Sequence, residues 1–318
     1  MSHQLHLCYS INDFFAREAG ISLISFFENN PSYGPEEVFI LDYGIHPTNK
    51  GNLCDIAARY GRRITYLNAK AVTDVVKQAY PHLKAWRGSM APNAKCFVGH
   101  IFPTYVERLL FLDADTVVTG SVSELQELDM QGAALGAVLL SQASCEISNG
   151  KLKLCSGNSF YFNSGVLLFD LTAWRHENCH QLIIQTLQKK IDLEWPDQTL
   201  LNNAIPELLI KQQPLKYNYL SHYMNPQQER SWLQLGHFHT NEEIEEAITH
   251  PAIIHYIGGW TEARPWYEGC RSHRQDDYFR YKALSPWKDT PLFPPYNAAH
   301  LPKTPEEQRI YQQITAQF

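Results

Sequence analysis

The stretch Arg108-Leu109-Leu110-Phe111-Leu112-Asp113-Ala114-Asp115 joins an unbroken apolar run to two acidic residues. A short apolar run of this kind is typical of a buried strand, and in open α/β sheets ligands bind at the carboxyl ends of the strands. Two carboxylates one residue apart repel each other unless a cation lies between them, and divalent ions prefer carboxylate oxygens. The stretch therefore predicts a metal site at a sheet edge, holding a phosphate-bearing ligand such as a nucleotide.

Two other interpretations of these acids stay open at this point. One is a polar turn with two solvated carboxylates. The other is a resemblance of Asp113-Ala114-Asp115-Thr116 to the nucleophile loop of haloacid-dehalogenase-type phosphatases. That class needs a late acidic pair after another apolar strand, whereas Asp276-Asp277 follows the polar run 271–275. A phosphatase is therefore the less favoured alternative.

The first 120 residues alternate between segments typical of strands and of helices. The strand-like segments are 5–9, 38–41, 63–67 and 109–112, and the helix-like segments are 14–27, 49–60, 71–80 and 91–98. This alternation predicts βαβ units and an α/β fold with a mostly parallel mixed sheet. Later segments predict a helix over 176–193 and a strand over 252–257, and Asn49 is the expected N-cap of its helix.

The composition narrows the class of protein. With 318 residues and a formal net charge of −6, the chain has no basic stripe that would track nucleic acid, so no nucleic-acid partner is expected. No Cys-x-x-Cys pair, signal-peptide pattern or long apolar window is present. We expect a cytoplasmic protein, with at most peripheral contact with the inner face of the membrane. We also expect one catalytic domain over 1–284 and a proline-rich C-terminal extension over 285–318.

Four further segments accompany the Asp-x-Asp stretch. They are Asn163-Ser164-Gly165-Val166-Leu167-Leu168, Trp195-Pro196-Asp197-Gln198-Thr199-Leu200-Leu201-Asn202, His255-Tyr256-Ile257-Gly258-Gly259 with Arg264-Pro265-Trp266, and Ser285-Pro286-Trp287-Lys288-Asp289. In this order the chain resembles the family 8 retaining glycosyltransferases, and especially the bacterial galactosyltransferases and glucosyltransferases of lipopolysaccharide core. The resemblance runs from about Leu5 to about Leu292.

The resemblance implies a nucleotide-sugar-binding, Rossmann-like fold of the GT-A type. It implies transfer of galactose or glucose from a UDP-hexose donor, with retention of anomeric configuration, to a saccharide acceptor such as lipid-linked lipopolysaccharide core. The alternative within the same fold is a nucleotide-sugar-binding protein without turnover.

The resemblance also assigns the metal ligands. Asp113 and Asp115 match the metal-binding acids, and His255 matches the third protein ligand. Two carboxylates, one imidazole and two diphosphate oxygens suit an octahedral ion, and the imidazole favours Mn²⁺ over Mg²⁺.

Eight residues match positions that bind the UDP-sugar in the family: Ser10, Asn12, Lys95, Ala114, Asn163, Gly165, Gly258 and Arg264. The chain departs from the family pattern at several of the places compared. Phe14 replaces an amide that would read uracil, Lys95 replaces an arginine, and Arg264 lies farther along the chain from His255 than the usual lysine.

The resemblance places Asp197 and Gln198 beside the reactive sugar carbon as catalytic residues. An amide oxygen is only weakly basic, so Gln198 is a poor nucleophile. We therefore expect the acceptor to attack on the face from which UDP departs, through an oxocarbenium-like state that Asp197 and Gln198 stabilise.

Overall fold

The computed structural model describes residues 4–34, 37–140, 158–221, 226–234, 238–257 and 263–295. Within these ranges the chain forms a seven-stranded sheet and a three-stranded sheet. In chain order the strands are β1 Leu5–Ile11, β2 Glu37–Asp42, β3 Arg63–Leu67, β4 Arg108–Leu112, β5 Thr116–Val118, β6 Leu135–Leu139, β7 Phe162–Asp170, β8 Ile210–Gln212, β9 Tyr219–Leu220 and β10 Ile253–His255.

The large sheet has the order β3-β2-β1-β4-β7-β6-β8. Strand β1 pairs in parallel with β2 and β4, β2 with β3, and β6 with β8, whereas β7 runs antiparallel to both of its neighbours. The predicted mixed, mostly parallel sheet is therefore confirmed. In the small sheet, β10 pairs antiparallel with β5 and parallel with β9.

The described helices cover both faces of the large sheet. They are α1 Ala16–Asn29, α2 Pro47–Arg59, α3 Lys70–Ala79, α4 Val98–Ile101, α5 Ser123–Glu127, α6 Leu171–His176, α7 Cys179–Gln188, α8 Pro196–Ala204, α9 Pro226–Gln234, α10 Asn241–Thr249 and α11 Gln275–Lys282. Strand β4 shows why both faces are apolar: Leu110 and Leu112 belong to one core, Leu109 and Phe111 to the other. A strand buried on both sides reads as a continuous apolar run.

Several element boundaries differ from the sequence prediction. Asn49 is not the N-cap of α2: His46 takes that position, its side chain accepts a hydrogen bond from the backbone N–H of Thr48, and Pro47 opens the helix. Proline suits the first turn, because the N–H it lacks has no intrahelical partner there.

The helix predicted over 176–193 is interrupted near its start. Asn178 adopts a left-handed conformation, with φ of 51°, between the end of α6 and the start of α7. Asparagine tolerates this region of backbone space better than most residues. The segment Ala91–Phe97 forms a 3₁₀ helix, and the strand predicted over 252–257 is shortened to Ile253–His255.

The described part of the predicted extension packs on the domain that precedes it. The buried ring of Trp287 fills the space beside Gly20 of α1, where an added Cβ would lie 2.4 Å from it. The rings of Phe14 and Phe293 stack with centroids 5.4 Å apart. The division at residue 285 stays a prediction. Among the described residues, no helix is long and apolar enough to cross a membrane.

Candidate functional site: an acid pair, a histidine and a buried lysine

The acid pair follows β4 directly. Asp113 donates its backbone N–H to the carbonyl of Gly165 at 2.8 Å, and the Thr116 hydroxyl donates to the carbonyl of Asp113 at 2.8 Å. These contacts fix the turn between β4 and β5. Both carboxylates are partly exposed at the carboxyl edge of the sheet, as the sequence predicts.

The small sheet brings His255 to this acid pair. In the antiparallel pairing of β10 with β5, His255 lies opposite Thr116, and the N–H of Tyr256 donates to the carbonyl of Asp115 at 2.9 Å. The His255 Nε2 atom then lies 3.2 Å from Asp115 Oδ1. Asp113, Asp115 and His255 each offer one ligand atom, and these atoms all lie within 4.8 Å of one another. The group could hold a divalent ion.

Lys95 lies behind the acid pair and is fully buried. Its ammonium lies 2.7 Å from Asp113 Oδ1 and 3.1 Å from Asp197 Oδ2, and it donates to the carbonyl of Ser164 at 2.9 Å. Burial works to lower the pKa of Lys95, but the two carboxylates outweigh it and raise the pKa above its ordinary value. The three ammonium hydrogens have protein acceptors, so Lys95 acts here as a fixed positive charge and not as an arm reaching a ligand.

The two acids of the pair have opposite pKa shifts. Burial raises the pKa of Asp113, with Lys95 opposing and Asp115 adding to the rise. Burial also works to raise the pKa of Asp115, but His255 and Arg264 outweigh it and lower the pKa to about 2. Asp115 is therefore the member of the pair that holds its negative charge more strongly.

Asp197 and Gln198 lie in the first turn of α8, where they contact the turn before β7. Ser164 donates its hydroxyl to Asp197 Oδ2 at 2.8 Å. Gln198 Oε1 accepts from the backbone N–H of Ser164 at 3.1 Å and from Asn163 Nδ2 at 3.0 Å. Trp195 precedes the helix as its N-cap residue, so Asp197 is free of that role.

A cavity of about 550 Å³ opens over these groups. Nine of the predicted site residues line it: Ser10, Asp113, Ala114, Asp115, Asn163, Asp197, Gln198, His255 and Arg264. The guanidinium of Arg264 lies 3.7 Å from Asp115 Oδ2 despite the longer spacing in the chain.

The remaining predicted residues have other surroundings. Lys95 and Gly165 lie behind the cavity wall, and Gly165 packs against the imidazole of His255. Asn12 is not part of the wall that the described residues form, and its buried Oδ1 has no hydrogen-bond partner among them. Gly258 lies outside the described residues.

Several residues of the cavity were not predicted from the sequence. Ser164 lies in the segment Asn163-Ser164-Gly165, and its contacts with Asp197 and Lys95 have no signal in the sequence. Arg87 adds a second guanidinium to the wall. Burial lowers the pKa of Arg264, the neighbouring Asp115 opposes this shift, and the positive charge of Arg87 adds to it. Asn218 contacts His255 from the 3₁₀ helix 215–218. Its surroundings in sequence, Lys216-Tyr217-Asn218-Tyr219, carry no chemical signature.

The fold is that of the GT-A type, with two acids and a histidine that could hold a metal ion at the carboxyl edge of the sheet. The model of glycosyl transferase family 8 matches residues 6–270, and the chain belongs to this family. The phosphatase interpretation of Asp113 is thereby replaced.

Relatives of known description agree with this assignment. General stress protein A of Bacillus subtilis is 24% identical over 288 residues, covering 89% of this chain and 94% of that protein. A lipopolysaccharide 1,2-glucosyltransferase of Escherichia coli is 25% identical over 293 residues, covering 91% and 80%. Among solved structures, the galactosyltransferase LgtC in complex with donor and acceptor sugar analogues superposes with a TM-score of 0.70 at 18% identity, over 89% of this chain and 99% of that one. The last likeness shows a shared fold.

Proposed function

We propose that the protein transfers galactose or glucose from a UDP-hexose to a saccharide acceptor, with retention of configuration. The observation that carries the proposal is the group of Asp113, Asp115 and His255, whose ligand atoms lie within 4.8 Å of one another at the wall of the cavity. Two carboxylates and an imidazole suit Mn²⁺, and also accept Mg²⁺. When bound, the ion would offset the negative charge that develops on the departing UDP.

The residues around the acid pair supply positive charge for a diphosphate. Arg264 and Arg87 both line the cavity, and guanidinium groups bind phosphate oxygens in a bidentate manner. In this proposal Lys95 keeps the carboxylates of Asp113 and Asp197 charged and in place. For Asn12 to read the uracil, its side chain would have to turn toward the cavity, because its Oδ1 is buried and lies outside the wall that the described residues form. Ser10 and Ala114, which line the cavity, would complete the donor site together with the backbone of Gly258.

The contacts of Gln198 favour a mechanism in which the acceptor attacks the sugar on the face from which UDP departs. Its Oε1 already accepts two hydrogen bonds, from Asn163 and from the Ser164 backbone, which makes this weakly basic oxygen a still poorer nucleophile. The bond between the sugar C1 and the phosphate oxygen breaks, and the acceptor oxygen forms the new bond to C1 on that face. The acceptor proton passes to the departing phosphate oxygen. Asp197 and Gln198 stabilise the positive charge on the sugar ring between the two events.

The other half of the cavity suits a saccharide acceptor. Its walls include Trp195 and, from α9, Trp232 and Leu233. Aromatic rings give large, rigid apolar faces for packing, and the apolar face of a pyranose matches them. The lipopolysaccharide glucosyltransferase among the relatives favours a lipopolysaccharide core acceptor. We propose that the reaction takes place in the cytoplasm, where the protein has at most peripheral contact with the membrane.

A panel of UDP-sugars, each with and without Mn²⁺, tests the proposal through the release of UDP. We expect metal-dependent turnover of one UDP-hexose, raised by lipopolysaccharide core saccharides. Turnover should be lost in Asp115→Asn and kept in Asp129→Asn, an exposed acid outside the cavity. Tight binding of UDP with no turnover of any donor, with or without acceptor, would instead support a nucleotide-sugar-binding protein.

A further inference from the structure

A chain of three side-chain amides connects the catalytic pair with the metal-binding histidine. It runs from Gln198 through Asn163 and Asn218 to His255. Asn218 is fully buried and belongs to no motif that the sequence offered. The orientation of each amide in this chain can be worked out from donors that cannot exchange roles.

Two backbone N–H groups fix the first two amides. The N–H of Gly165 lies 2.8 Å from Asn163 Oδ1, and that of Ser164 lies 3.1 Å from Gln198 Oε1. A backbone N–H can only donate, so both of these side-chain atoms are acceptors. Asn163 consequently donates its Nδ2 to Gln198, at 3.0 Å.

The orientation of Asn218 follows from that of Asn163. Since Asn163 Oδ1 accepts, the Asn218 atom 2.9 Å from it is the donor Nδ2. A flipped amide would set two carbonyl oxygens against each other. The Asn218 Oδ1 atom therefore faces His255 Nδ1, at 3.1 Å.

The tautomer of His255 is the last step. An amide oxygen can only accept, so Nδ1 of His255 carries a proton and donates it to Asn218. In the neutral ring, which is the form that binds a metal, the other nitrogen, Nε2, then directs its lone pair at Asp115 Oδ1, 3.2 Å away. Two lone pairs at this distance repel each other unless a cation is bound there, and such an arrangement suits a metal ligand.

We propose that Asn218 is a positioning residue that holds His255 in the Nδ1–H tautomer and so presents Nε2 to the divalent ion. This inference rests on the metal site of the proposed function and adds to it a residue that touches neither ion nor substrate. Through Asn163, the same chain ties the orientation of the histidine to the position of Gln198.

The first test is Mn²⁺ binding to the protein without nucleotide, measured by electron paramagnetic resonance or calorimetry. Removing a partner that orients a metal ligand typically weakens metal binding 10-fold to 100-fold, so we expect a loss of about 10-fold or more in Asn218→Ala. Asn218→Asp keeps an acceptor for Nδ1–H but turns its second oxygen toward Asn163 Oδ1, so it should bind Mn²⁺ more tightly than Asn218→Ala. The matched control is Asn30→Ala, which removes a buried asparagine that bonds Phe26, Gly120 and Val122 away from the cavity.

The second test reads the tautomer directly in the metal-free protein. With ¹⁵N-labelled histidine at pH 9, the His255 ring signals are identified by their absence in His255→Gln. We expect the Nδ1–H pattern in the wild type and in Asn218→Asp, and its loss in Asn218→Ala.

The outcomes separate this inference from the proposed function. Mn²⁺ binding that Asp115→Ala abolishes but Asn218→Ala leaves intact would reject the role of Asn218 alone. An Nε2–H pattern in the wild type would reject it as well. A wild-type protein that binds no Mn²⁺, or binds it equally well as Asp115→Ala, would overturn the metal site and this inference with it.

Discussion

The backbone of Gly165 packs directly against the ring of His255: a Cβ at residue 165 would lie 2.0 Å from Cε1 and 2.5 Å from Nδ1 of the imidazole. No side chain atom fits at that distance without moving the ring. The family resemblance assigned Gly165 to the donor sugar, whereas the structure gives its missing side chain a different use. It leaves room for the histidine of the proposed metal site.

Gly165→Ala should therefore displace His255 and weaken Mn²⁺ binding by about 10-fold or more. Overpacking of this kind also costs about 1–3 kcal/mol of stability. Both quantities can be measured in the same protein sample, by metal titration and by thermal unfolding. Gly51→Ala is the matched control, because an added Cβ in α2 meets nothing within 4 Å. Unchanged Mn²⁺ affinity in Gly165→Ala would contradict the close packing seen here.

Lys95 is expected to matter for stability as well as activity. Removing one partner of a buried ion pair leaves an uncompensated charge, at a cost of about 3–5 kcal/mol. Lys95→Met leaves the carboxylates of Asp113 and Asp197 without their shared cation. We therefore expect the free energy of unfolding to fall by about 3–5 kcal/mol, measured by denaturant unfolding at pH 7.5. Lys84→Met removes an exposed lysine paired with the exposed Asp192 and should change stability by less than about 0.5 kcal/mol.

The difference in free energy of unfolding between the wild type and Lys95→Met should depend on pH in one direction. The pKa of Lys95 is raised in the folded protein, so the stabilisation is fully present below the ordinary lysine pKa of about 10.4 and is lost as pH rises through the folded pKa. The difference in free energy of unfolding between the wild type and Lys95→Met should therefore stay constant from pH 7 to pH 9. A difference that narrowed within this range would argue that Lys95 is not held charged by the two acids.

Asp197 should affect turnover and leave metal binding alone. It lies outside the proposed metal site of Asp113, Asp115 and His255, and its Oδ2 accepts from Ser164 and contacts Lys95. Asp197→Asn keeps the shape of the side chain and removes the charge that, in the proposed function, stabilises the sugar cation. We expect kcat to fall by about 100-fold while the Kd for Mn²⁺ changes by less than 3-fold, about 0.6 kcal/mol. If Mn²⁺ affinity fell together with kcat, Asp197 would belong to the metal site.

The sequence predicted the sheet well because its signals are local. The apolar run before Asp113 and the alternation of strands with helices are patterns of neighbouring residues. A strand that is buried on two faces is visible in the sequence as a continuous apolar run. The break at Asn178 was missed because a left-handed residue inside an amphipathic stretch carries only a weak local signal. The family motifs supplied the acid pair and His255.

What the sequence did not predict depends on pairing between distant segments. Asn218 reaches His255 because β9 and β10 lie side by side, and no local pattern marks that contact. Lys95 was recognised as a cation of the site, yet only the packing of the 3₁₀ helix 91–97 against α8 shows that it bonds protein acids. The aromatic half of the cavity was missed for the same reason, since Trp195 and Trp232 lie on separate elements.

Trp232 offers a test of where the acceptor binds. It is partly buried, lies on α9 and lines the cavity together with Leu233. If the acceptor saccharide packs on this ring, Trp232→Ala should raise the KM for acceptor by about 10-fold, a loss of about 1.4 kcal/mol, while the KM for the UDP-hexose and its slow hydrolysis without acceptor stay unchanged. Leu208→Ala removes a strongly exposed apolar side chain outside the cavity and should change none of these values. A rise in the donor KM in Trp232→Ala, with the acceptor KM constant, would instead place the nucleotide sugar on this wall and the acceptor elsewhere.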